Sequence, residues 1–140
     1  MSRDMINTAS KLVEKNRNVV VASMDENGYP NMKMMFNARV RDGIKVFYFT
    51  TNMSSLRVSQ FMKNPKACLY FSDSRFFNGL MIKGKMEVLH DKKSKEMIWR
   101  SGDEMYYPQG VTDPDYCVLK FTSETGRYYA KFKSTNFAIK

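Results

Sequence analysis

Hydroxyl-bearing side chains and one arginine follow the apolar segment 46–49, and their types and spacing suit the binding of an anion. They are Thr50, Thr51, Ser54, Ser55 and Arg57. Ser54 or Ser55 is a typical N-cap, so the sequence predicts a helix whose first free N–H groups point back toward the two threonines. Hydroxyl donors, a helix N-terminus and a guanidinium that contacts two oxygens at once are groups that bind a phosphate monoester. An ordinary capped helix with a solvent-facing arginine fits the same residues, and both interpretations remain open at this point.

Other kinds of chemistry find little support in the sequence. His90 is the only histidine and lies at a predicted strand-to-helix junction, where a capping or exposed role is common. No nucleophile-elbow pattern accompanies it, which argues against hydrolysis by a Ser-His-Asp or Cys-His arrangement. Asp73, Asp113 and Asp115 are loop acids without the spacing of a calcium site or the neighbours of a zinc site. The chain has no GxGxxG or Walker motif, and we expect neither a metal site nor a catalytic acid or base.

Length, composition and charge fit one folded domain that covers residues 1–140. Hydrophobic residues make up 43% of the chain, which is too much for a disordered one. The formal net charge of +9 favours an anionic partner, such as a phosphorylated cofactor, nucleic acid or an acidic membrane surface, without choosing among them.

Cys68 and Cys117 stand in apolar, strand-like runs, which predicts buried free thiols rather than a disulfide or a metal site. With no signal-like N-terminal segment and no apolar run of membrane-spanning length, we expect a soluble, cytoplasmic protein.

Apolar periodicity predicts about seven short strands and roughly two or three helices. The hairpin order of these elements favours a closed or partly closed antiparallel barrel over an alternating parallel sheet. Helices are predicted over 4–15, from Ser55 to Asn64, and from Asp91 to about 100, with Met97 and Ile98 facing inward. The predicted strands are 18–24, 29–37, 44–50, 66–72, 79–89, 116–122 and 127–134, with turns at 25–28, 41–43 and 123–126.

The segment 47–57, followed by Asn64-Pro65-Lys66-Ala67, resembles a pattern of the pyridoxamine 5'-phosphate oxidase-like FMN-binding split-barrel family. In that family a strand leads into a T-T-x-x-x-S-x-K/R phosphate loop, a helix and an N-P-x-strand sequence. The resemblance covers nearly the whole chain and points to the short members related to general stress protein 26 and the nitroimidazole-resistance proteins. Residues 28–35 are similar to the family strand that faces the flavin ring, and residues 82–86 fit its v-x-G-x-a strand. The resemblance implies an antiparallel split β-barrel with Greek-key-like connections, which binds FMN at the interface of a homodimer.

The resemblance also implies roles for individual residues. Thr50, Thr51, Ser55 and Arg57 correspond to phosphate contacts, and Lys33, Met34, Met35 and Phe49 to neighbours of the flavin ring. The chain departs from the full oxidases at Leu56, where they carry a second basic residue. It also lacks the C-terminal extension with which they bind the vitamin substrate, so we do not expect pyridoxamine phosphate oxidation.

The sequence therefore favours an FMN-dependent oxidoreductase that passes electrons from a nicotinamide to a small acceptor such as a quinone, a nitro compound or oxygen. The alternatives are a non-catalytic flavin carrier or sensor, and a basic nucleic-acid-binding small barrel. The basic residues that would serve the latter are Lys83, Lys85, Lys131 and Lys133. We expect a small-molecule donor and acceptor and a second copy of the chain as partners, with nucleic acid less favoured and no membrane. The apolar loop at Met105, Tyr106 and Tyr107 is expected near the flavin, either of its own subunit or of the other.

Overall fold

The computed structural model describes residues 2–140, which form mainly antiparallel β-strands. The strands are β1 (Asn18–Met24), β2 (Pro30–Phe36), β3 (Val40–Asp42), β4 (Val46–Asn52), β5 (Lys66–Asp73), β6 (Asn78–Leu89), β7 (Tyr116–Ala130) and β8 (Lys133–Ala138). The helices are α1 (Ser2–Lys15), α2 (Leu56–Lys63) and α3 (Lys92–Ile98), and two short 3-10 turns follow at Asp103–Met105 and Gly110–Thr112.

The strands form one eight-stranded sheet in the order β2-β1-β5-β6-β7-β4-β3, with β8 paired to β7. All of these pairs are antiparallel. Hairpins join β1 to β2 and β5 to β6, whereas the β1–β5 and β4–β7 pairs bring together strands that are distant in sequence. Within residues 2–140 the end strands β2 and β3 do not pair with each other, so the barrel stays open along one side. The structure confirms the predicted antiparallel split β-barrel.

Side-chain alternation along the strands places one face of the sheet in a common aromatic core. Phe47 and Phe49 of β4 both point inward and stack with their ring centroids 6.2 Å apart. Phe71 of β5 and Phe121 of β7 each lie 6.0 Å from Phe47, measured between ring centroids. Strand β6 alternates as predicted, between buried apolar side chains and exposed charged ones. The core therefore anchors β4, the strand that leads into the hydroxyl cluster.

Two helices pack where their sequence patterns predict. α1 buries Ala9 and Val13 against the barrel. Ser55 is the N-cap of α2, with its hydroxyl accepting a hydrogen bond from the Val58 N–H at 3.4 Å. α2 ends just before Pro65, since the residue preceding a proline avoids the helical region. None of the helices in residues 2–140 combines the length and the apolar character that crossing a bilayer requires.

The third helix is shorter than predicted and turns a different face to the barrel. Asp91 caps it as expected, accepting a hydrogen bond from the Ser94 N–H at 3.0 Å. The helix ends at Ile98, which is buried, whereas Met97 is 46% exposed. The prediction that both side chains face inward was wrong, because consecutive residues of a helix are about 100° apart and this short helix buries one narrow face.

The last part of the chain differs most from the prediction. Residues 116–122 and 127–134 do not form a hairpin around 123–126, because a single 15-residue strand, β7, runs through this region. The chain reverses instead at Lys131 and Phe132, which have φ angles of 50° and 63°. These are left-handed conformations that tight hairpin turns require and that non-glycine residues adopt with strain.

Tertiary contacts explain why the turn-like composition of residues 123–126 does not produce a turn. The Ser123 hydroxyl donates to the Ile44 carbonyl at 2.6 Å. It therefore bonds to the segment before β4 and not to the backbone of residues 123–126, as a turn would require. Gly126 lies beneath the ring of Phe137, which an added Cβ would overlap. The glycine is therefore needed for a close approach between β7 and β8 and not for a turn.

A second correction concerns the predicted turn at 41–43. Val40–Asp42 is the short strand β3, which pairs with β4 so that Val40 lies opposite Tyr48. The turn follows at Gly43, whose φ of 54° is accessible to glycine without strain. A strand of three residues is too short to show alternation in the sequence, and its pairing depends on a neighbouring strand.

Candidate functional site

A cavity of about 670 Å³ lies where the open end of the β1–β2 hairpin, the end of β4, the start of α2 and the loop after α3 meet. Its lining combines methionine and aromatic side chains with hydroxyls and two arginines. The hydroxyl residues Thr50, Thr51, Ser54 and Ser55 lie at the β4–α2 junction, so the strand and the helix hold them in place. The cavity can therefore contact an apolar ring and an anionic group at the same time.

Arg57 is the most unusual residue of this cavity. Its Nη2 donates to the Thr51 hydroxyl oxygen at 2.7 Å. Its Nε is buried and has no hydrogen-bond partner, and among the side chains of residues 3–140 it is the only buried nitrogen or oxygen in that condition. Burial lowers the pKa of Arg57 below its ordinary value, although a guanidinium stays charged at neutral pH. A buried, charged donor without a partner is costly, which marks this position as one that an anion would stabilise.

The backbone around the start of α2 is less free to bind an anion than the sequence suggests. The Ser54 N–H donates to Asp115 Oδ1 at 2.9 Å, and the Ser55 N–H donates to the Asn52 carbonyl at 3.0 Å. The Val58 N–H is used by the cap described above. Three N–H groups near the start of α2 are thus already paired, and the polar residues of this corner that line the cavity are Thr50, Thr51, Asn52 and Arg57.

The structure brings together part of the predicted site. Met34, Met35, Thr50, Thr51 and Arg57 all line the cavity. Lys33, Phe49 and Ser55 do not line it.

The positions of these three residues have simple causes. Phe49 is 1% exposed and packs in the aromatic core, because the alternation of β4 points it inward. The Ser55 hydroxyl caps α2. Lys33 is exposed and lies opposite Val21, nearer to the hairpin turn than the cavity is.

Sequence reasoning missed four cavity residues. They are Asn18, Phe36, Arg39 and Asn52. Asn18 and Phe36 are cross-strand partners at the open end of the β1–β2 hairpin, and the sequence predicts this hairpin without its register. Arg39 follows β2 without any local pattern, and its ionic partner, Asp103, is far away in sequence. Only the folded chain shows that it belongs to the cavity.

The two arginines of the cavity differ in their charge balance. Arg39 donates to both carboxylate oxygens of Asp103, with 2.7 Å between Nη2 and Oδ1. These hydrogen bonds hold the pKa of Asp103 below its usual range. Within residues 2–140 Arg57 forms no ion pair. The available positive charge of the cavity is therefore that of Arg57.

The predicted aromatic loop lies beside the cavity. All three of its residues line the cavity, Met105 and Tyr106 being 83% and 61% exposed and Tyr107 buried against Trp99 and Tyr116. The Tyr107 hydroxyl donates to Asn52 Oδ1 at 3.4 Å. Burial raises the pKa of Tyr107 to about 12, so this hydroxyl keeps its proton at neutral pH.

The other reactive side chains do not line the cavity. His90 is exposed at the end of β6, and both cysteines are free, with Cys117 buried and Cys68 partly buried. Burial raises the pKa of Cys117 to about 12, which keeps the thiol protonated. Asp113 and Asp115 accept hydrogen bonds from loop N–H groups, a structural role. No three His, Cys, Asp or Glu side chains of residues 2–140 are grouped so that they could hold a metal ion.

The fold and the cavity define a small antiparallel split-barrel protein. The pyridoxamine 5'-phosphate oxidase family model matches residues 5–130. The chain therefore belongs to the pyridoxamine 5'-phosphate oxidase family.

Individual relatives agree with this assignment. A pyridoxine/pyridoxamine 5'-phosphate oxidase of Agrobacterium fabrum is 31% identical over 87 residues, which are 62% of this chain and 41% of the relative. The chain thus spans less than half the length of the curated relatives it matches. A solved structure from Clostridium acetobutylicum, of a protein related to general stress protein 26 of B. subtilis, is 46% identical with a TM-score of 0.88 over 99% of this chain and 97% of that one. A heme binding protein of Mycobacterium smegmatis shares the fold, with a TM-score of 0.76 at 11% identity over 95% of this chain and 57% of that one.

Proposed function

We propose that the cavity binds FMN, with the phosphate at Arg57, Thr50 and Thr51 and the ring against the apolar side chains of the cavity. The buried Nε of Arg57 carries this proposal, because it lacks the partner that a phosphate oxygen would supply. Met34 and Met35 provide the soft, apolar contacts that suit a flat aromatic ring. The family membership supports the same cofactor.

We further propose that the protein is an oxidoreductase, which takes electrons from a nicotinamide and passes them to a small acceptor. FMN, when bound, would supply the hydride and electron-transfer chemistry. The protein would anchor the phosphate, hold the ring and leave one side of it accessible. The exposed Met105 and Tyr106 form an apolar part of the cavity mouth, which favours a planar, weakly polar acceptor such as a quinone or a nitro compound.

The oxidoreductase proposal predicts a yellow protein that a nicotinamide reduces. Purified protein loaded with FMN should lose its visible flavin absorbance when NADH or NADPH is added without oxygen, and regain it when the acceptor is supplied. Screening a panel of quinones, nitro compounds and oxygen by nicotinamide consumption identifies the acceptor class. A protein that binds FMN but is never reduced would be a flavin carrier or sensor instead.

The same spectrum distinguishes a haem from a flavin. The chain shares its fold with a heme binding protein, but its only histidine, His90, is exposed and does not line the cavity. The unpaired guanidinium and the hydroxyls fit a phosphate group, whereas a haem would have to take its axial ligand from the methionines or tyrosines of the cavity. A Soret band in place of flavin absorbance would contradict the FMN proposal.

We also propose that the protein is a homodimer. Met32, Met34 and Phe36 project from β2, an edge strand of the sheet, and each is more than 60% exposed. Neighbouring apolar side chains on a sheet edge commonly pair with a second copy of the chain. Light scattering on the FMN-loaded protein at micromolar concentration should give the mass of two chains. A monomer under these conditions would contradict the proposal, and Met34→Lys should shift the equilibrium toward monomer.

A further inference from the structure

The segment that directly follows α3 forms one wall of the cavity and is called the lid here. It consists of residues 99–107, of which Met105, Tyr106 and Tyr107 line the cavity. Its backbone hydrogen bonds are local. The N–H groups of Asp103, Met105, Tyr106 and Tyr107 all donate to carbonyls of residues 100–103. The lid belongs to no strand, so side chains must determine where it lies relative to the barrel.

Arg39 and Asp103 form the ion pair among these side-chain contacts, beside the packing of Trp99 and Tyr107 on Tyr116. The guanidinium of Arg39 contacts both carboxylate oxygens and also donates from Nη1 to the Ile98 carbonyl at 3.1 Å. The carboxylate accepts a further hydrogen bond from the Arg100 N–H at 2.8 Å, and Arg100 Nη2 donates back to the Arg39 carbonyl at 3.0 Å. The Asp103 side chain is 6% exposed and that of Arg39 20%. A two-pronged, nearly buried pair of this kind is geometrically demanding, unlike an exposed salt bridge.

The barrel side of this contact is fixed. The Arg39 N–H donates to the Tyr48 carbonyl of β4 at 3.0 Å, so its backbone extends the pairing of β3 with β4. On the lid side, the Asp103 carbonyl accepts hydrogen bonds from the N–H groups of Tyr106 and Tyr107, each at 2.9 Å. One residue thus connects the barrel to the two tyrosines of the cavity wall. Asp103 itself does not line the cavity.

We propose that Asp103 is a positioning residue, which holds the lid against the barrel through Arg39 so that Tyr106 and Tyr107 form a wall for the ring of a bound flavin. This inference rests on the proposed binding of FMN. The lid would act on the ring and Arg57 on the phosphate, and the two effects can be separated with riboflavin, which has the ring but no phosphate.

The test begins with the protein free of ligand. Trp99 is the only tryptophan of the chain and lies in the lid, with its ring centroid 5.2 Å from that of Tyr116 and 6.3 Å from that of Tyr107. Its fluorescence therefore reports the position of the lid without any flavin. Asp103→Asn removes the charge and keeps the size of the side chain. We expect acrylamide to quench Trp99 more strongly in this variant, by about twofold or more in the quenching constant.

Riboflavin affinity is the second readout. It should fall by about tenfold in Asp103→Asn, as expected when a coupled pair is broken. Riboflavin is the better probe here because the variant leaves Arg39 unpaired, and the freed charge would partly restore the binding of FMN through its phosphate. Arg39→Gln and the double variant should lose no more affinity for riboflavin than Asp103→Asn does, since all three break the same pair.

Arg41→Gln is the matched control. Arg41 is also an arginine of an ion pair, but its partner Glu14 is 77% exposed and neither residue lines the cavity. This variant should change neither Trp99 quenching nor riboflavin affinity. If Asp103→Asn does not fold by circular dichroism, Arg39→Lys provides the same test, because it keeps the charge and loses the two-pronged contact.

The outcomes separate this inference from the proposed function. If the unmodified protein binds neither FMN nor riboflavin, the proposed function fails, while Trp99 quenching still shows whether the pair holds the lid. If the unmodified protein binds both flavins and a folded Asp103→Asn or Arg39→Lys variant keeps the original quenching and riboflavin affinity, the positioning role of Asp103 is wrong.

Discussion

Replacing Arg57 by alanine should weaken FMN binding by about ten- to a hundredfold or more, while riboflavin binding changes little. Arg57 lines the cavity, its buried Nε has no hydrogen-bond partner and its Nη2 contacts Thr51. Hydrogen bonds from a charged group contribute about 1.5–3 kcal/mol each, which corresponds to this range of affinities. Riboflavin lacks the phosphate and does not make the contact that the substitution removes. It should therefore bind the unmodified protein much more weakly than FMN does.

Lys63→Ala is the matched control for this experiment. Lys63 is an exposed cation in the last turn of the same helix and does not line the cavity. The control removes one positive charge, so an equal loss of FMN affinity would mean that net charge matters rather than a specific contact. Thermal unfolding of each variant verifies that it is folded. Equal losses for FMN and riboflavin in Arg57→Ala would show that Arg57 supports the fold or the dimer instead of the phosphate.

Gly84→Ala should destabilise the barrel by about 1–3 kcal/mol, toward the upper end of the range for overpacked cores. Gly84 lies in β6 at an irregularity of the β6–β7 pairing. A Cβ at this position would overlap the Thr122 carbonyl oxygen, lie 2.7 Å from the Phe121 ring and lie 3.0 Å from the Ser123 Cα. Two of these contacts are with backbone, which cannot move aside without disturbing the sheet. Urea unfolding followed by circular dichroism measures the loss.

Gly79→Ala provides the comparison, in the same strand. Its Cβ would also overlap a neighbour, but that neighbour is the hydroxyl end of Tyr70, which is 46% exposed and can rotate into solvent. We expect this variant to lose less than about 1 kcal/mol. If both glycine variants are equally stable, the close approach of β6 and β7 at Gly84 does not constrain the fold as described.

The parts of the structure that the sequence predicts well are those with local causes. The N-cap at Ser55 and the proline after Asn64 set both ends of α2, and the periodicity of β4 sets its buried face. Together they place Thr51 and Arg57 at one corner. The role of Phe49 as a neighbour of the flavin comes from the resemblance alone and stays a prediction, while the alternation of β4 points Phe49 into the core.

The parts that the sequence does not predict depend on distant contacts. The glycine and hydroxyl residues at 123–126 predict a turn. In the structure Phe137 packs over Gly126, and β7 continues through this region. The pairing of Arg39 with Asp103 joins residues that no periodicity relates. Neither contact leaves a local signal, and both require the folded barrel to bring their partners together.

A crystal structure of the protein grown with saturating FMN tests the central claim most directly. The claim predicts the phosphate inside the cavity, with its oxygens about 3 Å from Arg57 Nε and from a threonine hydroxyl. Flavin bound elsewhere, a phosphate in solvent with Arg57 Nε still unpartnered, or an empty cavity at saturating FMN would each contradict it.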